Sequence, residues 1–448
     1  MYATVKNSKV LNQHTRRLAN NVFGALLSRF VNLGSTLLIV PLAIKSLGTH
    51  DYGIFAVILS AVIIFSYSDL GLGLAVVNRV ASAKDEQSLL EARDAISNVW
   101  HFLVRVSAFF LVVGILAITA IKVTGLGDHV FAWDAWLALI ICAAFGLAPG
   151  LTQRILFGLQ RNLEANLWNT AGRIFSVIGV YLAYFFHMSM PWFIIAMVGL
   201  PAIVGWLSTL LLWRGTPQLK PNKSAISWSR LSSYMRGGLQ FLFLQVGVFF
   251  ETGVDNILIG SVQGTQFVTN YDLLARLFIY VPALISMLAF PLWPAISHAN
   301  ASGDDEWVRW AVRVSFIGVA LVSILSSGFF LYLHADIIHL WVGVKYQADY
   351  RLAMALAAFA VLTSLGTVQV MFMSGLGFIS DQVRILAVFL LVLIPGKFLA
   401  LSFSGQTSMV WTLVLAYALR MFSLWFMTKK RIANPCAQSA SCLNTGSE

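Results

Sequence analysis

Charged side chains standing inside long apolar stretches are the residues of this chain that could do chemistry. Five arginines do so, Arg29, Arg105, Arg173, Arg276 and Arg420, together with the carboxylates Asp69, Glu251, Asp255 and Asp272. An ionised group on a membrane-length apolar helix is costly unless it faces protein, water or a partner. A guanidinium donates a planar fork of hydrogen bonds and suits phosphates, whereas a buried carboxylate can take up a proton or a cation. No loop carries a nucleophile–base pair, a metal-ligand cluster or a nucleotide-binding motif. The chemistry on offer is binding and passage of a charged group.

The arginines and carboxylates divide by position. Arg29, Arg105 and Arg173 sit roughly 9 to 13 Å from the cytoplasmic ends of their stretches at 1.5 Å per residue, which suggests a basic layer on the cytoplasmic side of the first half. For Arg105 and Arg420 the plainer expectation is a long side chain snorkelling to the interface. Asn166, Asn169, Thr170 and Ser176 fall within about 60° of Arg173 around a helix, a stripe that should face a watery cavity rather than lipid. Asn169 and Arg173 are therefore candidate contacts for an anionic head group, with Arg29, Arg105 and Arg276 beside them. Asp69 matches Arg29 in depth and could pair with it. Asp255 matches Arg276, for which Asp272, one turn away, competes. Glu251 has no cation at its own depth. It is either a proton-binding group or a protonated, hydrogen-bonded structural residue, and Glu251, Asp255 and Asp69 are the candidates for ion coupling or gating.

The elements that must hold these groups are membrane helices. The 448 residues are 58% hydrophobic and 11% charged, with a mean hydropathy of +0.78; a soluble chain would carry about 25% charged residues. Twelve spans are expected, at 21–44, 52–77, 99–121, 133–152, 165–186, 191–213, 237–260, 272–290, 310–333, 352–376, 383–402 and 408–427. Twenty Lys and Arg fall on one side of this arrangement, against Lys45, Lys122, Lys345, Arg351 and Lys397 on the other. The positive-inside rule then puts both termini in the cytoplasm and explains the net charge of +11 without nucleic acid. The polar segment 214–236, with Pro217, Pro221 and five serines, reads as a linker between an N-lobe (21–213) and a C-lobe (237–427), flanked by a cytoplasmic segment at 1–20 and a tail at 428–448. Prolines 149, 201, 282 and 395 read as packing features rather than hinges. The three cysteines form neither a disulfide framework nor a metal-ligand spacing, and no cleavable signal precedes the first span.

Residues 20–73, "NNVFGALLSRFVNLGSTLLIVPLAIKSLGTHDYGIFAVILSAVIIFSYSDLGLG", add a resemblance. With Arg29, Pro41, Leu47-Gly48, Tyr52-Gly53 and Asp69-Leu70-Gly71, this stretch resembles the start of bacterial polysaccharide-unit (O-antigen, Wzx-type) flippases. These belong to the multidrug/oligosaccharidyl-lipid/polysaccharide (MOP) exporter superfamily. "ILFGLQR" at 155–161, "DNILIG" at 255–260, "FPLWPAISHA" at 290–299 and "LWVG" at 340–343 continue the likeness along nearly the whole chain. The resemblance implies an all-α polytopic protein of twelve helices in two six-helix lobes, working by alternating access in a bacterial inner membrane. It implies an undecaprenyl-diphosphate-linked glycan as substrate, a polysaccharide polymerase and chain-length regulator as partners, no cofactor, and drive from a proton or sodium gradient. In related lipid II flippases, arginines of the first and eighth helices line the cavity; Arg29 and Arg276 occupy those helices here. Two other readings remain at this point. A drug/cation antiporter of the same superfamily would favour acidic cavity residues. A membrane polymerase or ligase would need polar groups on a large outer loop, and the longest here, 334–351, is short.

Overall fold

The computed structural model describes residues 2–66, 71–124, 132–222, 227–289, 292–343, 349–376 and 378–433, and the described residues are helical with short connections. Asp69, one of the coupling candidates, lies outside them. In chain order the α-helices are α1 (Tyr2–Ser66), α2 (Leu72–Ser82), α3 (Glu86–Thr124), α4 (Trp133–Gly158), α5 (Asn162–Phe185), α6 (Met190–Ile194) and α7 (Leu200–Gly215). They continue as α8 (Trp228–Val248), α9 (Asp255–Val262), α10 (Thr265–Ala289), α11 (Leu292–Ala301), α12 (Asp305–Val342), α13 (Tyr350–Gly375) and α14 (Ile379–Ala433).

Within the described residues each expected span falls on helix, with breaks where the backbone demands them. Among the described residues eight helices are long and apolar enough to cross a membrane, and a ninth crossing is a pair bent by 44°, Leu242–Gly253 with Asp255–Val262. Two of the eight each contain two expected spans. Gly48 (φ 79°) divides α1 and Gly405 (φ 82°) divides α14; both adopt a left-handed conformation that glycine enters without a Cβ clash. Gly71 (φ 76°) starts α2, so the second expected span, 52–77, is interrupted. The fifth span, α5, is not among the eight, because its polar stripe lowers its hydropathy.

Contacts divide the chain into two compact units, Met1–Val246 with Trp341–Gly343, and Gly247–Leu340 with Val344–Glu448. In the first unit α1 packs along α5, and α4 is surrounded by α2, α3 and α7. Leu72, Val76 and Val80 recur every fourth residue on α2, and Ala92, Ile96, Val99 and Leu103 are spaced by four, three and four on α3. With Leu151, Ile155 and Leu156 of α4 they form one buried cluster. Asp85 caps α3: its carboxylate accepts from the Ser88 N–H at 2.8 Å, and the Asp85 N–H donates to Ser88 Oγ at 3.1 Å. That bond holds the Asp85 carboxyl below its usual range.

The connection expected as a free linker is fastened to α3. Arg93 Nε donates to Lys220 O at 3.0 Å, the Asn222 N–H to Ser97 Oγ at 2.8 Å and the Ser227 N–H to Asn98 Oδ1 at 2.6 Å, while Arg230 pairs with Asp94 at 2.5 Å. Ser97 and Asn98 are fully buried by this segment. In the second unit α13 packs against α10, α11 and α14, and α9 against α10 and α14.

Candidate functional site

Each unit holds its own polar interior. In the first, α1, α3, α4, α5 and α7 line a half-open cavity of about 420 Å³. Its wall is mostly apolar and small, with Gly146, Gly150, Gly172, Ala202 and Gly205 keeping side chains out of the space. Gln153 and Arg154 enter it from α4, Trp168 and Asn169 from α5, and Ser208 from α7. Asn169 Nδ2 donates to Gln153 Oε1 at 3.4 Å, so the two amides stand side by side, and Arg154 follows Gln153 in the same wall. The arrangement offers a cation, two amides and an aromatic face in a half-open, largely apolar wall, a set that fits a small anionic group joined to an amphipathic body.

The expected basic layer is only partly assembled here. Asn169 lines the cavity. Arg173 is half-buried one residue beyond the lining Gly172. Arg29 and Arg105 are exposed side chains outside the lining. The α5 stripe divides: Thr170 and Ser176 are buried and return their hydroxyls to the carbonyls of Asn166 and Gly172, at 2.8 and 3.1 Å. These two serve packing. Arg154, which carries the cation of the wall, reads in the sequence as a topology charge next to a span end. Its one local signal was its position one turn inside α4, on the face of Gly150.

In the second unit the charges are paired. Lys397 of α14 is 1% exposed and donates to Asp255 Oδ1 at 2.5 Å. Tyr271 OH donates to the other oxygen of Asp255 at 2.6 Å. Asp272 accepts from Asn256 Nδ2 at 3.0 Å and from Arg276 Nε at 2.5 Å. Arg420 pairs with Glu251, and its guanidinium lies over the rings of Tyr417 and Phe389, 4.4 and 5.1 Å from their centroids.

Five sequence expectations change accordingly. Glu251 has a cation, Arg420, brought by a helix more than 160 residues later. Arg420 does not snorkel, because the carboxylate and two aromatic rings hold it inside. Asp255 goes to Lys397 and Tyr271, leaving Arg276 to Asp272. Lys397, counted among the loop cations of the sparse side, is a buried ion-pair partner. Arg276, expected to meet an anionic head group, has its Nε engaged by Asp272. Among the described residues no three His, Cys, Asp or Glu converge to hold a metal ion.

The family model for Polysaccharide biosynthesis protein matches residues 18–300. No curated protein sequence matches the chain. Among solved structures, an inward-facing multidrug-resistance MATE-family transporter of the MOP superfamily is 14% identical, with a TM-score of 0.71 over 94% of this chain and 96% of that one. A MOP superfamily transporter from Pyrococcus furiosus, described by a reversed polarity of its binding pocket and a suggested different function, is 14% identical, with a TM-score of 0.63 over 93% and 95%. A variant of a Vibrio cholerae MATE transporter is 16% identical, with a TM-score of 0.61 over 95% and 98%. At these identities the likeness is one of fold.

Proposed function

Because the chain belongs to the polysaccharide biosynthesis protein family and is a membrane transporter rather than an enzyme, we propose that it is a flippase for lipid-linked glycan. It moves undecaprenyl-diphosphate-linked oligosaccharide from the cytoplasmic to the periplasmic leaflet of a bacterial inner membrane, for O-antigen or another surface polysaccharide. Alternating access carries the polar head between leaflets while the lipid tail stays in the bilayer, with both termini cytoplasmic and a polymerase and chain-length regulator receiving the product. A proton gradient drives the cycle, with Glu251, Asp255 and Asp69 as the candidates to carry the proton.

The observation that carries this reading is the cavity of the first unit, where Arg154, Gln153 and Asn169 stand in an otherwise apolar wall. Its volume of about 420 Å³ is that of a small-ligand site and suits a pyrophosphate with the first sugar rather than a whole oligosaccharide. Trp168 offers an apolar face for that sugar. Arg173, one residue past the lining, is the second basic contact, with Arg29 and Arg105 further out. A drug/cation antiporter fits less well, since Arg154 lines the cavity and Glu251, Asp255 and Asp272 of the second unit each pair with a cation.

Restoration of surface polysaccharide in a flippase-null cell tests this. Arg154→Ala and Asn169→Ala should each lower it at least tenfold at normal expression, about 1.4 kcal/mol of lost head-group binding or more. Arg154→Lys should also be impaired, because an ammonium loses the bidentate fork. A Cβ on Gly150 would meet nothing within 4 Å. Gly150→Ala should therefore be tolerated, and Gly150→Phe, which fills the cavity, should block transport. Full activity in both Arg154→Ala and Gly150→Phe would remove the cavity from the mechanism.

A further inference from the structure

The second unit holds an ammonium in a setting built for a free cation. Lys397 Nζ donates to the carbonyl of Glu251 at 2.5 Å, to that of Phe250 at 3.3 Å and to Asp255 Oδ1 at 2.5 Å. Main-chain carbonyls and a carboxylate are the hard oxygen donors that alkali and alkaline-earth cations take. The Phe250 carbonyl is released for the task because Phe249–Gly253 is a π-helical turn. The Val254 N–H reaches back five residues to Phe249 O at 2.9 Å and leaves Phe250 O without its usual donor. Tyr271 OH, at 2.6 Å, fixes the second oxygen of Asp255 and so aims the first. A lysine buried only for its stem would send its head to the interface. This one is 1% exposed, with its head group surrounded by oxygen from α9 and the turn before it.

We propose that this is a monovalent-cation site filled by the chain's own tethered ammonium. Lys397 is then the residue that determines ion specificity here: with its side chain in place the site admits no sodium or potassium, and with it shortened the same oxygens take a free cation. The charges around the site leave room for one cation only. The Glu251 carboxylate is balanced by Arg420 and that of Asp272 by Arg276, so Asp255 carries the single negative charge that Lys397 answers.

Thermal unfolding of the purified full chain, followed by tryptophan fluorescence, tests the site without any glycan substrate; the flippase reading can fail independently. The salts are sodium, potassium, methylammonium and choline chloride at equal ionic strength. The wild type should melt at one temperature in all four. Lys397→Ala should melt lower in choline, and sodium or methylammonium, the latter restoring the missing head group, should raise its midpoint by roughly 2–4 °C at saturation. Lys397→Ala/Asp255→Asn should lose that rise. Should Lys397→Ala not fold, Lys397→Met, which keeps most of the stem, carries the same comparison. A sodium-specific rise in the wild type overturns the proposal, as does a folded Lys397 variant that melts alike in all four salts.

Discussion

Asp255 and Lys397 show what burial does to a charge once a partner is at hand. Both are inside the second unit, 0% and 1% exposed, and each cancels the other's cost in a medium that would penalise either alone. Removing one member is therefore expected to cost far more than removing both. Asp255→Ala should lower stability by about 3–5 kcal/mol, since it leaves a buried ammonium on two carbonyls alone. The volume-matched apolar pair Asp255→Leu/Lys397→Met should recover most of that loss. The unfolding midpoint in detergent measures both, and a double variant as unstable as the single one would show that the pair is not what stabilises this region. The sequence made the anion legible and hid the cation. Helical period and depth place Asp255 and Glu251 inside the bilayer, but neither records which helix will be the neighbour. Lys397 follows Pro395-Gly396 near the end of an apolar stretch, where a count of loop charges takes it for a surface residue.

At the scale of elements, the positions of the helices were legible and their interruptions less so. Hydropathy and the alternation of Lys and Arg place the expected stretches on helix among the described residues because both follow from the bilayer, although only eight or nine crossings are long and apolar enough by themselves. The breaks at Gly48 and Gly405 and the π turn at Phe249–Gly253 follow from backbone geometry and packing, which hydropathy does not see. The segment at 214–236 has the serine and proline content of a linker, yet its backbone groups bond to Ser97 and Asn98 of α3. Between apolar helices in lipid, close approach of small residues replaces the hydrophobic drive, which gives glycine a readable role. A Cβ on Gly158 of α4 would lie 2.7 Å from Val80 Cβ and 3.0 Å from Val77 O of α2. One on Gly34 of α1 would meet nothing within 4 Å. Gly158→Ala should cost about 1–3 kcal/mol by forcing α2 away from α4. Gly34→Ala should be neutral or add up to about 1 kcal/mol through helix propensity. The difference between their melting temperatures, rather than either alone, reports the crossing.

For the whole molecule, the two units treat charge in different ways, and that contrast bears on which way the protein faces. In the second unit Lys397, Arg276 and Arg420 answer Asp255, Asp272 and Glu251 one for one. The net charge of +11 therefore resides mainly in the loops and helix ends, where the bilayer reads it. Counterparts on the two sides can be compared directly. Ser229, exposed at the start of α8, belongs to the basic side, and Thr124, exposed at the end of α3, to the sparse side. The positive-inside rule then requires Ser229 to face the cytoplasm and Thr124 the periplasm. With Cys142, Cys436 and Cys442 replaced by serine, Thr124→Cys should react with a membrane-impermeant maleimide in intact spheroplasts, and Ser229→Cys only after lysis. The opposite pattern would reverse the direction proposed for glycan transport. Labelling at both positions in intact spheroplasts would mean that Lys and Arg do not set the orientation of this chain. Arg154 lies at the basic end of α4, so the expected pattern puts the head-group cavity toward the leaflet where the lipid-linked glycan is made.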